Sequence, residues 1–196
     1  MALKLDRLNI LIVDDNPYMR VLVRDILHGF GVRNIMECND GSAAMQELKH
    51  WPADLSFVDW MMEPLDGLDF TRLVRTASDS PNPFLPIVML TGHTERHRIV
   101  EARDAGVNEF LAKPVTPLGI YSRIRAIVEN PRPFVRVGRY MGPCRRRKVE
   151  DMVGEGRRES DEGNTGAAAS GEDRVAAANA EGALSDVADK VGALNN

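Results

Sequence analysis

The chain has little cysteine, few aromatics and no long apolar run, and each shortage narrows what it can be. Two cysteines, Cys38 and Cys144, stand alone among 196 residues. Neither has a partner at metal-ligand spacing, so reduced thiols in a cytosolic protein are expected, not a disulfide framework. No apolar stretch approaches the roughly 20 residues a membrane helix needs. The opening MALKLDRLNILIV carries charges within its apolar run and lacks a signal-peptide pattern. A soluble cytoplasmic protein without membrane contact is the expectation. Excess positive charge is also missing. The net charge is −4 and the isoelectric point about 5.6, which argues against a globally basic nucleic-acid binder. No helix-turn-helix pattern occurs. Residues 149–196 contain no aromatic side chain and are dominated by Gly, Ala and acids. Such a segment cannot bury enough apolar surface to offset ordering, so it reads as an acidic, low-complexity, disordered tail. Residues 184–194 read as its frayed end rather than a helix laid on a partner. The tail is too poor in core residues to hide a catalytic output domain.

What is present is a core-forming first part. Hydrophobic residues make up 43% of the chain, enough for one sizeable core. Residues 9–13 are a continuous, β-branched apolar run and read as a buried parallel strand. Asn16 can cap a helix and Pro17 suits its first position. A second strand is expected over 35–38 and a helix over 41–50, capped by Asn39 or Asp40. A third strand ends at Asp59, and a helix over 68–76 follows. A fourth strand spans 86–90 with Thr91 at its end. Thr94 can cap the next helix, which Gly106 closes as a left-handed cap. A fifth strand, 108–112, ends in Lys113 and Pro114. Thr116 and Pro117 start a last helix that stops before Pro131. Five strands alternating with five helices predict an α/β, doubly wound, five-stranded parallel sheet covered on both faces.

The polar residues cluster at strand ends. Strands one, three, four and five deliver Asp14 and Asp15, Asp59, Thr91 and Lys113 at their carboxyl ends. In the flavodoxin-like order 2-1-3-4-5, strands one and three meet at the switch point, where open α/β sheets bind ligands. Three carboxylates there repel one another unless a cation relieves them. Mg²⁺ suits such a site, because it takes hard oxygen ligands and keeps several waters. Asp15 and Asp59 are natural direct ligands, with Asp14 acting through water. Lys113 adds positive charge and Thr91 a hydroxyl. Carboxylate, metal, cation and hydroxyl are what phosphoryl transfer requires, with Asp59 as the nucleophile that becomes an aspartyl phosphate. Taken singly, Asp14 could be a helix cap, Thr91 a loop hydroxyl and Lys113 a solvated charge. Their joint arrangement carries the reading.

The motif set resembles the receiver domain of bacterial two-component response regulators, of the stand-alone, chemotaxis-regulator kind. It consists of DD at Asp14 and Asp15, the Asp59 of FVDWMMEPLDG, TG at Thr91 and Gly92, and KP at Lys113 and Pro114. The resemblance covers about 8–129. It implies phosphoryl transfer to Asp59 from a histidine kinase or phosphotransfer protein, slow self-dephosphorylation rather than enzyme turnover, and output through a downstream protein partner. It further implies Mg²⁺ on Asp14, Asp15, Asp59 and the main-chain carbonyl of Met61. A cis bond between Lys113 and Pro114 and a switch pair of Thr91 and Phe110 are implied as well. Met61 and His93 would flank the approach of hydrolytic water. Two departures stand out. The family commonly has Pro four residues after the acceptor; here Glu63 occupies that place and Pro64 follows. The switch aromatic is Phe, without a hydroxyl.

The expected organisation is a receiver over 8–130, a basic linker over 131–148 and the acidic tail over 149–196. The linker holds six Arg, one Lys and no acid. Phe134, Val135, Val137 and Tyr140 interleave with Arg132, Arg136 and Arg139. Docking on an acidic partner is the favoured reading of that mix, against packing on the last helix. Other functions weighed are nucleic-acid binding through Arg145, Arg146, Arg147 and Lys148, a non-phosphorylated scaffold, and a hydrolase on the same fold. The short flanked basic run, the intact acid, Thr and Lys set, and the missing lid argue against them in turn.

Overall fold

The computed structural model of the protein describes residues 3–92, 96–138, 140–144 and 187–191. The strands are β1 (Asn9–Val13), β2 (Asn34–Cys38), β3 (Leu55–Asp59), β4 (Ile87–Thr91) and β5 (Glu109–Ala112). All pair in parallel in the order β2-β1-β3-β4-β5. Every residue of β3 and β4 is buried, as a central strand covered on both faces requires. The helices are α1 (Pro17–Gly29), α2 (Gly41–Glu47), α3 (Gly67–Thr76), α4 (Arg96–Ala105) and α5 (Pro117–Glu129). The fold is therefore the doubly wound, flavodoxin-like sheet that the strand-and-helix alternation predicts.

Local chemistry sets the helix starts. The Asn16 side chain accepts the Tyr18 N–H at 2.9 Å, ahead of Pro17 at the first position. Asp40 accepts the N–H groups of Ser42 and Ala43 at 2.7 and 2.9 Å. Asp66 and Thr116 cap α3 and α5 in the same way. Thr94 and His93 lie outside the described residues. Alternating strand residues feed two cores. Ile10, Ile12, Phe57, Val88 and Leu90 face α1 and α5, meeting Val23, Leu27, Ile120 and Ile124. Leu11, Val13, Val58 and Ile87 face the other way, with Ala44, Phe70 and Val74 of α2 and α3. No described helix is long and apolar enough to cross a membrane.

The segment after α5 departs from the expected linker. Phe134–Val137 (β6) and Tyr140–Pro143 (β7) form an antiparallel hairpin with Val137 opposite Tyr140. Gly138 opens its two-residue turn at a φ of 58°. The hairpin is part of the fold because Phe134 is 1% exposed, edge-on to Phe84 at 5.4 Å and under the Arg75 guanidinium at 5.0 Å. Its second strand lies against the end of α4. There Gly106 takes a φ of 98°, and a Cβ on it would come 2.7 Å from the Met141 carbonyl. Arg139 and 145–148, including the basic run, lie outside the described residues. In the tail, residues 187–191 form one helical turn whose Val187 and Val191 are buried against the receiver core. The expected frayed end is thus seated there; 149–186 and 192–196 lie outside the described residues.

Candidate functional site

Parallel strands end in register, so the last residue of each is carried to the same edge. Val13 of β1 pairs with Val58 of β3, and Asp59 of β3 with Leu90 of β4. Asp14 therefore sits beside Asp59, and Thr91, paired with Ala112, sits one strand further on. Lys113 continues from β5, its N–H donating to the Thr91 carbonyl at 2.8 Å. The peptide bond between Lys113 and Pro114 is cis. Lys113 Nζ reaches back across the edge, 2.9 Å from Asp59 Oδ1 and 3.3 Å from Asp14 Oδ2.

Asp14 is fully buried and Asp59 6% exposed, while Asp15 faces solvent. One carboxylate oxygen from each of Asp14, Asp15 and Asp59 lies within 4.8 Å of the others. Fully ionised, the three acids and Lys113 sum to −2, the charge one divalent cation cancels. The donor set is all oxygen, which suits a hard cation such as Mg²⁺ and disfavours soft-metal chemistry. The residues present therefore fit the ion expected from sequence. Burial pushes the Asp59 carboxyl above its ordinary value, and the charge of Asp14 adds to this, while Lys113 and the Trp60 N–H pull it back. Burial works against charge on Lys113, but its hydrogen bond and attraction to Asp59, with help from Asp14, hold its ammonium above the usual range.

The backbone immobilises this edge. Asp14 Oδ1 accepts the Asn16 N–H at 2.8 Å, so Asp14 also shapes the turn into α1. Asp59 Oδ1 accepts the Trp60 N–H at 2.7 Å. The loop after Asp59 closes on itself where Gly67 N–H donates to the Trp60 carbonyl at 3.0 Å. A Cβ on Gly67 would sit 2.2 Å from the Asp59 carbonyl oxygen, so no larger residue fits. Within this loop the bond between Glu63 and Pro64 is cis, and the shifted proline is accommodated with Gly67 in place.

The structure brings Asp14, Asp15, Asp59 and Lys113 into one cluster, with Thr91 buried at the same edge. Met61, just past the end of β3, is 59% exposed. Phe110 is two register positions from Thr91 on the same side of the sheet, half-buried against Trp60, Leu68 and Met89. Sequence reasoning passed over Trp60. It is buried under α4, with the Arg98 guanidinium 6.0 Å from its ring centre. An aromatic directly after a strand-end acid was the available signal.

Comparison with known proteins agrees with this geometry. The chain is 35% identical over 123 residues to chemotaxis protein CheY-3 of Vibrio cholerae, covering 63% of this chain and 93% of that protein. It is 36% identical over 123 residues to chemotaxis protein CheY of Pseudomonas aeruginosa, covering 63% of this chain and 98% of that one. Among solved structures, Vibrio cholerae chemotaxis protein CheY4 superposes with a TM-score of 0.57 at 27% identity, covering 61% of this chain and 98% of that chain. The family model of the response regulator receiver domain matches residues 10–125, the span that holds every member of the cluster, and the chain belongs to that family.

Proposed function

We propose that this chain is a cytoplasmic phosphoacceptor that takes a phosphoryl group onto Asp59 from a histidine kinase or phosphotransfer protein and signals by contact with a downstream protein. The observation that carries this reading is the Lys113 ammonium lying within 3.3 Å of both Asp14 and Asp59 beside a three-carboxylate cluster. An Asp59 carboxylate oxygen attacks phosphorus of the donor phosphohistidine. The P–N bond breaks as the P–O bond forms, and the imidazole leaves with a proton from solvent. Lys113 meets the charge that collects on the phosphoryl oxygens, and the Thr91 hydroxyl donates to one of them. Mg²⁺, held by Asp14, Asp15, Asp59 and the Met61 carbonyl, would neutralise charge on the same oxygens. Thr91 and Phe110 form the switch. Without a hydroxyl, Phe110 reports the state of Thr91 through packing alone. Self-dephosphorylation is the reverse cut, with water attacking phosphorus and the P–O bond to Asp59 breaking to release inorganic phosphate.

Incubation with Mg²⁺ and acetyl phosphate tests the reading. Label on the wild type is expected, and its loss on chelation and in Asp59→Asn. An equally labelled Asn variant would remove Asp59 from the role.

A further inference from the structure

The sheet has a second occupied end, opposite the carboxylate cluster. Asp54 and Pro86 stand just before β3 and β4, the strands whose far ends carry Asp59 and Thr91. Beside them residues 187–191, Val-Ala-Asp-Lys-Val, form their helical turn. Val187 and Val191, four apart, lie on one side of the turn and are 3% and 1% exposed, in the cluster that contains Leu5 and Leu8. Lys190 Nζ meets Asp54 Oδ1 at 2.6 Å, while the other Asp54 oxygen takes the Asn9 N–H at 2.9 Å. The Lys4 N–H donates to the Val191 carbonyl at 3.1 Å. A single turn of helix does not persist alone in water. Two buried valines, one ion pair and one backbone hydrogen bond to the receiver hold this one. Next to it a cavity of about 210 Å³, lined by Pro52, Asp54, Asn82, Pro86, Val187 and Lys190, shows that the groove is wider than its occupant.

We propose that this groove is a docking site for a short helical segment of the pattern apolar-x-x-Lys-apolar, and that the chain's own C-terminal turn fills it in cis. Asp54 reads the lysine, and the apolar floor reads the two flanking residues. Covalent attachment makes the docking intramolecular, so a contact of only a few side chains keeps the groove occupied. A free segment of the same pattern competes only when the turn is released. This docking stands apart from phosphoryl acceptance, whose residues lie at the other strand ends.

The test uses full-length protein. In a Val187→Asp, Val191→Asp double variant the groove is open. A fluorescein-labelled peptide of residues 183–196 should bind that variant at least tenfold more tightly than wild type, read by anisotropy. Lys190→Glu in the peptide should weaken it at least fivefold, and Val187→Leu, which extends into the cavity, should tighten it. Equal affinity for the two proteins, or indifference to Lys190→Glu, would overturn the proposal. A milder full-length variant, Lys190→Glu, keeps both valines. In it the Lys4 amide should exchange hydrogen at least tenfold faster, and unchanged exchange counts against docking. Wild type that sediments as a dimer, and the double variant as a monomer, would assign the turn to a second copy and overturn occupancy in cis.

Discussion

At the carboxyl edge of the sheet a cation, Lys113, faces carboxylates; at the amino edge a cation, Arg75, faces carbonyls. Arg75 is 2% exposed. It donates to the carbonyls of Pro83, Leu85 and Gly106 and to Asn108 Oδ1 at 2.8–3.1 Å, with the ring of Phe134 beneath it. Burial pushes its pKa down to about 9, which still leaves it charged at neutral pH. Its neighbours are neutral dipoles that give each guanidinium nitrogen an acceptor and bring no charge to exchange. Lys113, its side chain 24% exposed, lies within 3.3 Å of two carboxyl groups, one more than its single charge can balance. One cation is built into the structure. The other is shared between carboxyl groups that gain by receiving further positive charge. Enclosure by carbonyls makes a clamp, and enclosure by carboxylates makes a site.

The sharpest way to break this contrast is to remove each cation and watch a different observable. Arg75→Ala leaves several buried carbonyls without donors at about 1–3 kcal/mol each. A fall of roughly 10 °C in melting temperature is expected, with labelling by acetyl phosphate unchanged in the molecules that remain folded. Phe134→Ala should act in the same direction, by about 3 kcal/mol, because the ring is the hairpin's anchor. A melting temperature equal to wild type would return the hairpin to the status of a linker. Lys113→Met should do the opposite. In Mg²⁺ its labelling rate should drop at least tenfold while the melting temperature moves by less than about 3 °C. Equal damage to stability in both cation variants would erase the distinction between the two ends.

Smaller effects sharpen it. Met61 lies at the open mouth of the carboxyl edge and cannot orient water by hydrogen bonding. Met61→Asn should speed decay of the label several-fold with little change in its formation, followed by loss of radioactivity after donor removal; an unchanged decay would clear Met61 of this part. Each end also holds one thiol. Burial raises Cys38, at the end of β2, to about 11, with Glu47 and Asp40 adding to this. Half-buried Cys144 ends the hairpin. At pH 8 iodoacetamide should modify Cys144 and spare Cys38. Because the folded Cys38 pKa lies above the ordinary 9.0, its contribution to stability is whole below pH 9 and is lost as pH rises through about 11.

The carboxyl edge was legible from residue order because strands with period two and helices between them deliver their last residues to one line. Asp14, Asp59, Thr91 and Lys113 needed no long-range knowledge beyond strand order. The amino edge was not legible in this way. Arg75 sits on α3 next to Val74 and reads as an ordinary exposed helix charge. Only the approach of two loops, the one before β4 and the one before β5, and of Phe134 turns it inward. The hairpin did leave a local sign, Phe-Val-Arg-Val then Gly-Arg then Tyr-Met, which is alternation around a two-residue glycine turn. Its Arg content pointed instead to a partner. The two valines of residues 187–191 were too few to outweigh the composition around them.

The closed loop after Asp59 also sets how this chain can vary. Its two ends are tied, Trp60 to Gly67, and Gly67 cannot gain a single carbon atom. Between the ties, Met62 is buried and Leu65 half-buried, whereas Met61, Glu63 and Pro64 face outward. Drift at those three exposed places is therefore cheap in position: a proline can slip from one to the next without displacing the acid at the loop's root. Substitution can rewrite the exposed rim beside Asp59 while the acid stays where it is, so the surroundings of the cluster are free to change when the cluster itself is not.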